Sequence, residues 1–120
     1  MALSAADHPI DVTPNPHRVR VVVGGVIVAE TTRALSLKEA SYPAVQYVPR
    51  DDVQMDLFER SERRSHCPYK GDASYFTITA GGLVQRDAAW SYETPLPGVP
   101  EIAGHLAFYP NKVDAIEELN

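Results

Sequence analysis

The ten residues His66-Cys67-Pro68-Tyr69-Lys70-Gly71-Asp72-Ala73-Ser74-Tyr75 hold the only cysteine of the chain together with a histidine, a lysine, an aspartate and two tyrosines. A thiolate is a nucleophile, and a cation beside it favours the ionised form. Cys67, with His66 next to it and Lys70 three residues on, is therefore the candidate catalytic residue. Side chains alternate along a strand, so His66 can serve Cys67 only if the chain bends between them. A buried structural cysteine is the simpler alternative. Pro68 pre-sets φ for a turn that Gly71 can complete, which accounts for both without any chemistry. Lys70 and Asp72 bracket that glycine. A lysine beside exposed amides is a common way to hold a carboxylate or phosphate, and the alternative is a surface Lys70–Asp72 ion pair worth about 0–1 kcal/mol.

Other site chemistries find less material. The metal-ligand types His66, Cys67 and His105, with the distant His8 and His17, show no Cys-x-x-Cys or His-x-x-x-His spacing, so no metal and no cofactor is expected. Asp51-Asp52 beside Arg50 reads more simply as helix capping than as acid/base machinery. Gly-x-Ser-x-Gly, Gly-x-Gly-x-x-Gly and the phosphate-loop pattern are all missing from the chain.

The elements that must carry these residues are short strands. Val19–Val23 and Val26–Glu30 flank Gly24-Gly25, a two-residue hairpin signal, because both central positions of a type I′ turn need positive φ. Gly81-Gly82 joins Tyr75–Ala80 to Leu83–Gln85 in the same way. Further strands are expected at Thr31–Leu37, Ala44–Pro49, Arg63–Cys67, Ala88–Tyr92 and Ile102–Tyr109. Two helical pieces are expected as well. One is a turn from Asp51 to Phe58 with Gln54 completing a capping box, and the other starts at Asn111 and repeats Val113, Ile116 and Leu119. The fold class is mainly β: a compact single domain of antiparallel strands, as a small barrel or curved two-sheet sandwich, with one or two short helices. Residues 1–16, with three prolines and no apolar period, read as a flexible arm, and 17–120 as the domain.

Alternation then sorts the motif residues into faces. Phe76, Ile78, Leu106 and Phe108 share the aliphatic side, while Tyr75, Trp90, Tyr92, His105 and Tyr109 share a second one. Rings with a large apolar area and a polar tip suit the wall of a pocket, or equally the seam of a dimer.

Composition bounds the partners. A chain of 120 residues is one domain by size and can bury roughly two thirds of its unfolded surface. A formal charge of −5 repels a phosphate backbone, and the basic run Arg60, Arg63, Arg64 is interleaved with Glu59 and Glu62, so nucleic acid is not expected. One cysteine cannot form an internal disulfide, which fits a reduced, cytoplasmic setting. Residues Met1–Ile10 have neither a basic start nor an apolar run of signal-peptide length, and no apolar stretch approaches membrane-spanning length, so neither processing nor a membrane partner is expected.

The Cys-Pro-Tyr-Lys-Gly turn at 67–71, Ala-Trp-Ser-Tyr at 89–92, Ala-Phe-Tyr at 107–109, Tyr42-Pro43 and Tyr47-Val48-Pro49-Arg50-Asp51-Asp52-Val53 together resemble the DUF427 family of small, mainly bacterial domains. The resemblance runs from about Arg18 to Val113 and implies a small, curved-sheet β domain, but no reaction, substrate or cofactor. A nucleotidyltransferase label sometimes attached to the family implies a Gly-Ser pair and an Asp-x-Asp pair, and this chain has neither. Two functions stay open. One is a site for a small ligand, anionic or not and enzymatic or not, lined by Tyr69, Lys70, Asp72, Trp90, Tyr92 and Tyr109. The other is a homodimer or protein-interaction module that uses the same aromatic surface.

Overall fold

Valines at alternate positions of Arg18–Val23 leave Val19, Val21 and Val23 at most 1% exposed, as expected of a strand with one face against a core. That pattern governs most of the computed structural model, which describes residues 9–119. The strands are β1 (Ile10–Asn15), β2 (Arg18–Val23), β3 (Val26–Thr31), β4 (Ala34–Glu39), β5 (Val45–Tyr47), β6 (Phe58–Cys67), β7 (Gly71–Ala80), β8 (Leu83–Ser91), β9 (Leu106–Phe108) and β10 (Ala115–Leu119). They form three antiparallel sheets in the orders β1-β4-β5, β10-β2-β3 and β6-β7-β8-β9. The mainly β, single-domain expectation holds.

Both glycine hairpins form, and they meet. Gly24 and Gly81 have φ of +57° each, and a Cβ on either would run into the backbone of the other turn. Only glycine allows this close backbone crossing of the β2–β3 and β7–β8 turns.

Four local expectations are corrected. Ile10–Asn15, inside the expected arm, is a strand paired with β4 from Ile10↔Glu39 to Asn15↔Ala34. Pro14 marked it as irregular, yet β1 is the edge of its sheet, where a missing N–H costs no ladder bond. The remainder of that arm, 1–8, lies outside the described residues. The capped turn expected after Asp51 is instead two three-residue 3₁₀ turns, Arg50–Asp52 and Met55–Leu57, neither with a side-chain cap. Asp52 accepts from Thr31 Oγ1 at 2.6 Å and Arg33 Nη2 at 3.1 Å, which ties this segment to the end of β3. The final helix is absent: after a 3₁₀ turn at Pro110–Lys112 the chain runs as β10 along β2, Ile116 opposite Val21. The open edge of β2 supplies a full ladder of backbone bonds, which outweighs a helical period carried by three apolar residues. The expected strand Ile102–Tyr109 also shortens to Leu106–Phe108, behind a 3₁₀ turn at Pro100–Ile102.

Consecutive residues of β7 point into different cores. Phe76 and Ile78 pack with Val21, Val23, Val28, Ala89, Leu106 and Phe108, while Tyr75 packs with Leu37, Tyr47, Tyr92 and Ala107. The first cluster mixes aliphatic side chains with phenylalanine rings. The second is aromatic and encloses a cavity.

Candidate functional site

The aromatic core is assembled from strands distant in sequence. Tyr75 lies opposite Trp90 in the β7–β8 ladder, Trp90 opposite Ala107 in the β8–β9 ladder, and Tyr109 follows directly after β9. The Tyr75 and Tyr109 rings stack with centroids 6.5 Å apart, and Trp90 lies 4.5 Å from Tyr109. From the other side, Tyr47 of β5 meets Trp90 edge-on at 6.3 Å and accepts a hydrogen bond from its Nε1 at 3.3 Å. Arg63 sits 4.3 Å above the Tyr75 ring, and the Tyr75 hydroxyl is 2.7 Å from Ser65 Oγ. The rings are thus held both by stacking and by their polar tips.

Between them lies a recess of about 270 Å³ lined by Tyr47, Tyr75, Trp90, Tyr92, Tyr109 and Leu37, with Tyr42, Pro43 and Val45 completing its wall. Lys70 and Glu39 also line it. The Lys70 side chain turns inward from the hairpin, is 9% exposed, donates to Glu39 Oε1 and places Nζ 5.7 Å from the Tyr92 centroid. Its placement follows from the turn. Cys67 pairs with Gly71, whose φ of +110° reverses the chain, and the Lys70 carbonyl accepts from Leu96 N at 2.9 Å, so the proline-rich loop closes over the hairpin.

Four of the expected residues, Lys70, Trp90, Tyr92 and Tyr109, line this recess, and Tyr69 and Asp72 do not. Asp72 points outward and holds the His66 ring at 2.7 Å, both side chains largely in solvent. The surface ion pair with Asp72 is therefore replaced by a buried one with Glu39. Cys67 is a free, half-buried thiol packed against the aromatic cluster. The ring of His66, its neighbour, is engaged by Asp72. His105 stands before β9 with Nδ1 at 3.1 Å from the Ala103 carbonyl, away from the rings with which alternation grouped it. Among the described residues no three His, Cys, Asp or Glu side chains converge in a way that could hold a metal ion. Nor is any helix among them long and apolar enough to cross a membrane.

Glu39, Tyr42 and Tyr47 escape the sequence reading as site residues. Tyr42-Pro43 and Tyr47 stand within the family motifs, which was the available signal. Nothing local ties Glu39 to a lysine 31 positions later.

Burial sets the protonation of the rings. It pushes Tyr92 well above the ordinary tyrosine range, with the nearby Tyr47 and Cys67 adding to the rise. Tyr47 is raised by burial too, against the opposing hydrogen bond from Trp90. Tyr109 is pushed up to about 12, by burial first and then by its hydrogen bond with Tyr75. At neutral pH the recess thus presents phenolic hydroxyls, which both donate and accept.

A mainly β domain with an aromatic recess and an ion pair in its wall is the class these features define. The chain belongs to the DUF427 family of domains of unknown function, whose sequence model matches residues 11–119. No curated protein matches it.

Proposed function

We propose that the recess binds a small, planar, hydrogen-bonding molecule and that this is the function of the domain. The observation that carries the reading is the enclosure of one cavity by six aromatic side chains together with the Lys70–Glu39 pair. Flat faces favour a planar ligand held by stacking, and the hydroxyl tips favour one with donors and acceptors at its edge. Because Glu39 balances the Lys70 charge, the best match is a ligand whose polar end both donates and accepts. A bare anion fits less well. The reading stops at binding, since Cys67 does not line the recess. A concave wall also suits a ligand better than a self-complementary seam, which would be flatter.

A thermal-shift screen against metabolites and nucleotides tests it. A ligand at 100 times its dissociation constant stabilises by about 2.7 kcal/mol. Tyr42 is 62% exposed, so Tyr42→Ala removes one wall without touching the core and should abolish the shift. A blank screen, or hits indifferent to Tyr42→Ala and Trp90→Phe, would refute the proposal. A blank accompanied by a stable dimer on a sizing column would favour the assembly module.

A further inference from the structure

Trp90 and Val45 line a second cavity as well as the first. It has a volume of about 330 Å³ and lies between β2 and β10 on one side and β9 on the other, with Val19, Val21, Val48 and Phe108 in its wall. Those four side chains are at most 4% exposed. Its chemistry is unlike that of the recess. The polar side chain in its wall, Gln46, is already engaged at both ends: Nε2 donates to Ser36 Oγ at 3.1 Å, and Oε1 accepts from Asn15 Nδ2 at 2.9 Å. A buried water needs two to four polar partners, and an apolar cavity of about 150 Å³ stays dry and takes up benzene. This one opens to solvent at Ala44, Pro110 and Ile116, but its inner wall offers water few free polar partners.

We infer that the second cavity takes a hydrocarbon group, the tail of a ligand whose planar head occupies the aromatic recess. The tail site stands on its own geometry, and only its pairing with a head rests on the function proposed above. Trp90 belongs to both linings, and its Nε1 donates to the hydroxyl of Tyr47, a residue of the recess. A head stacked on the rings and a chain running past Val45 would fill both. The ligand class is therefore a planar polar ring bearing a short aliphatic chain, not a purely polar metabolite.

Trp90 is the only tryptophan, so its emission reports on both cavities. The probes are n-alkanols from butanol to octanol, and methyl to octyl esters of 4-hydroxybenzoic acid. Alkanols should shift the emission saturably, and affinity in both series should rise about fourfold per methylene until the cavity is full. Ala44 is exposed and Ile116 is 37% exposed, and both line only the second cavity, so Ala44→Phe and Ile116→Phe fill it at little risk to the fold. Either should abolish the chain-length rise and leave methyl-ester affinity within about twofold. No saturable alkanol response, or a rise that survives both variants, overturns the tail site while leaving the recess intact if the methyl ester binds. Alkanol binding with esters that do not bind keeps the tail site and removes the head. Ester affinity independent of chain length, alongside alkanol binding, overturns the shared ligand.

Discussion

The ammonium of Lys70, in the turn between β6 and β7, is held by the carboxylate of Glu39, 31 positions earlier at the end of β4. The two side chains are only 11% and 17% exposed and lie in the wall of an otherwise aromatic recess. A charge pair taken this far out of water contributes little net stability, yet losing either partner is costly because the other charge stays behind.

Lys70→Met and Glu39→Gln should each destabilise the domain by about 3 kcal/mol, the lower end of the range for breaking a buried pair. The double variant should lose clearly less than the sum of the singles. Urea unfolding of the four proteins measures the coupling. Additive losses would mean that the two charges do not depend on each other.

Glu93 makes a second, more exposed ion cluster with Arg50 and Arg60, both of whose guanidinium groups lie over the Phe76 ring. Burial alone would raise its carboxyl, but hydrogen bonds from Ser74 and Arg50 and the nearby Arg60 outweigh that and hold it below the ordinary 4.5. A group lowered by folding is protonated first in the unfolded chain as the pH falls. Its contribution is therefore complete above that ordinary value and is lost on acidification below it. The stability gap between the native protein and Glu93→Gln should be flat near neutrality and shrink below about pH 4.5. A gap that widens in acid would contradict the assignment.

The crossing of the two glycine turns sorts four similar substitutions into two classes. Alanine at Gly24 or Gly81 meets opposing backbone, whereas Gly25 and Gly82 have open space and only a positive φ of +76° and +83°. Gly25→Ala and Gly82→Ala should cost about 1 kcal/mol through strain alone. Gly24→Ala and Gly81→Ala should cost several times more, since backbone cannot yield as a flexible side chain does. Equal losses at all four positions in thermal unfolding would show that the turns do not touch.

The same turns show which features the chain reveals locally. Gly24-Gly25 and Gly81-Gly82 specify their hairpins by conformation alone, and alternation correctly sends Phe76 and Tyr75 to opposite cores. Both signals act within a few residues. Strands β1 and β10 were hidden because what makes them strands is a partner far along the chain. Pro14 is tolerable only because β1 is an edge, and Val113, Ile116 and Leu119 leave their helical period only because β2 has an edge to fill. Within the site, Trp90, Tyr92 and Tyr109 were legible as one face. Whether Lys70 would turn outward to Asp72 or inward to Glu39 depended on the loop through Leu96 that closes over the hairpin.

Tyr47 is one of the buried tyrosines that limit the fold at alkaline pH. It is 1% exposed, and burial raises its hydroxyl well above the ordinary 10.0. As the pH rises past 10 the unfolded chain releases this proton while the folded one keeps it, so stability present below that value falls by up to about 1.4 kcal/mol per pH unit. Tyr47→Phe has no proton to lose. It also removes the acceptor for Trp90 Nε1, so the variant should be less stable at pH 8, but its stability should fall less steeply between about pH 10 and 11.5. The comparison of slopes in urea titrations separates titration from packing, because a lost hydrogen bond shifts the whole curve and leaves its slope unchanged. Identical slopes in the two proteins would mean that Tyr47 ionises without unfolding the domain.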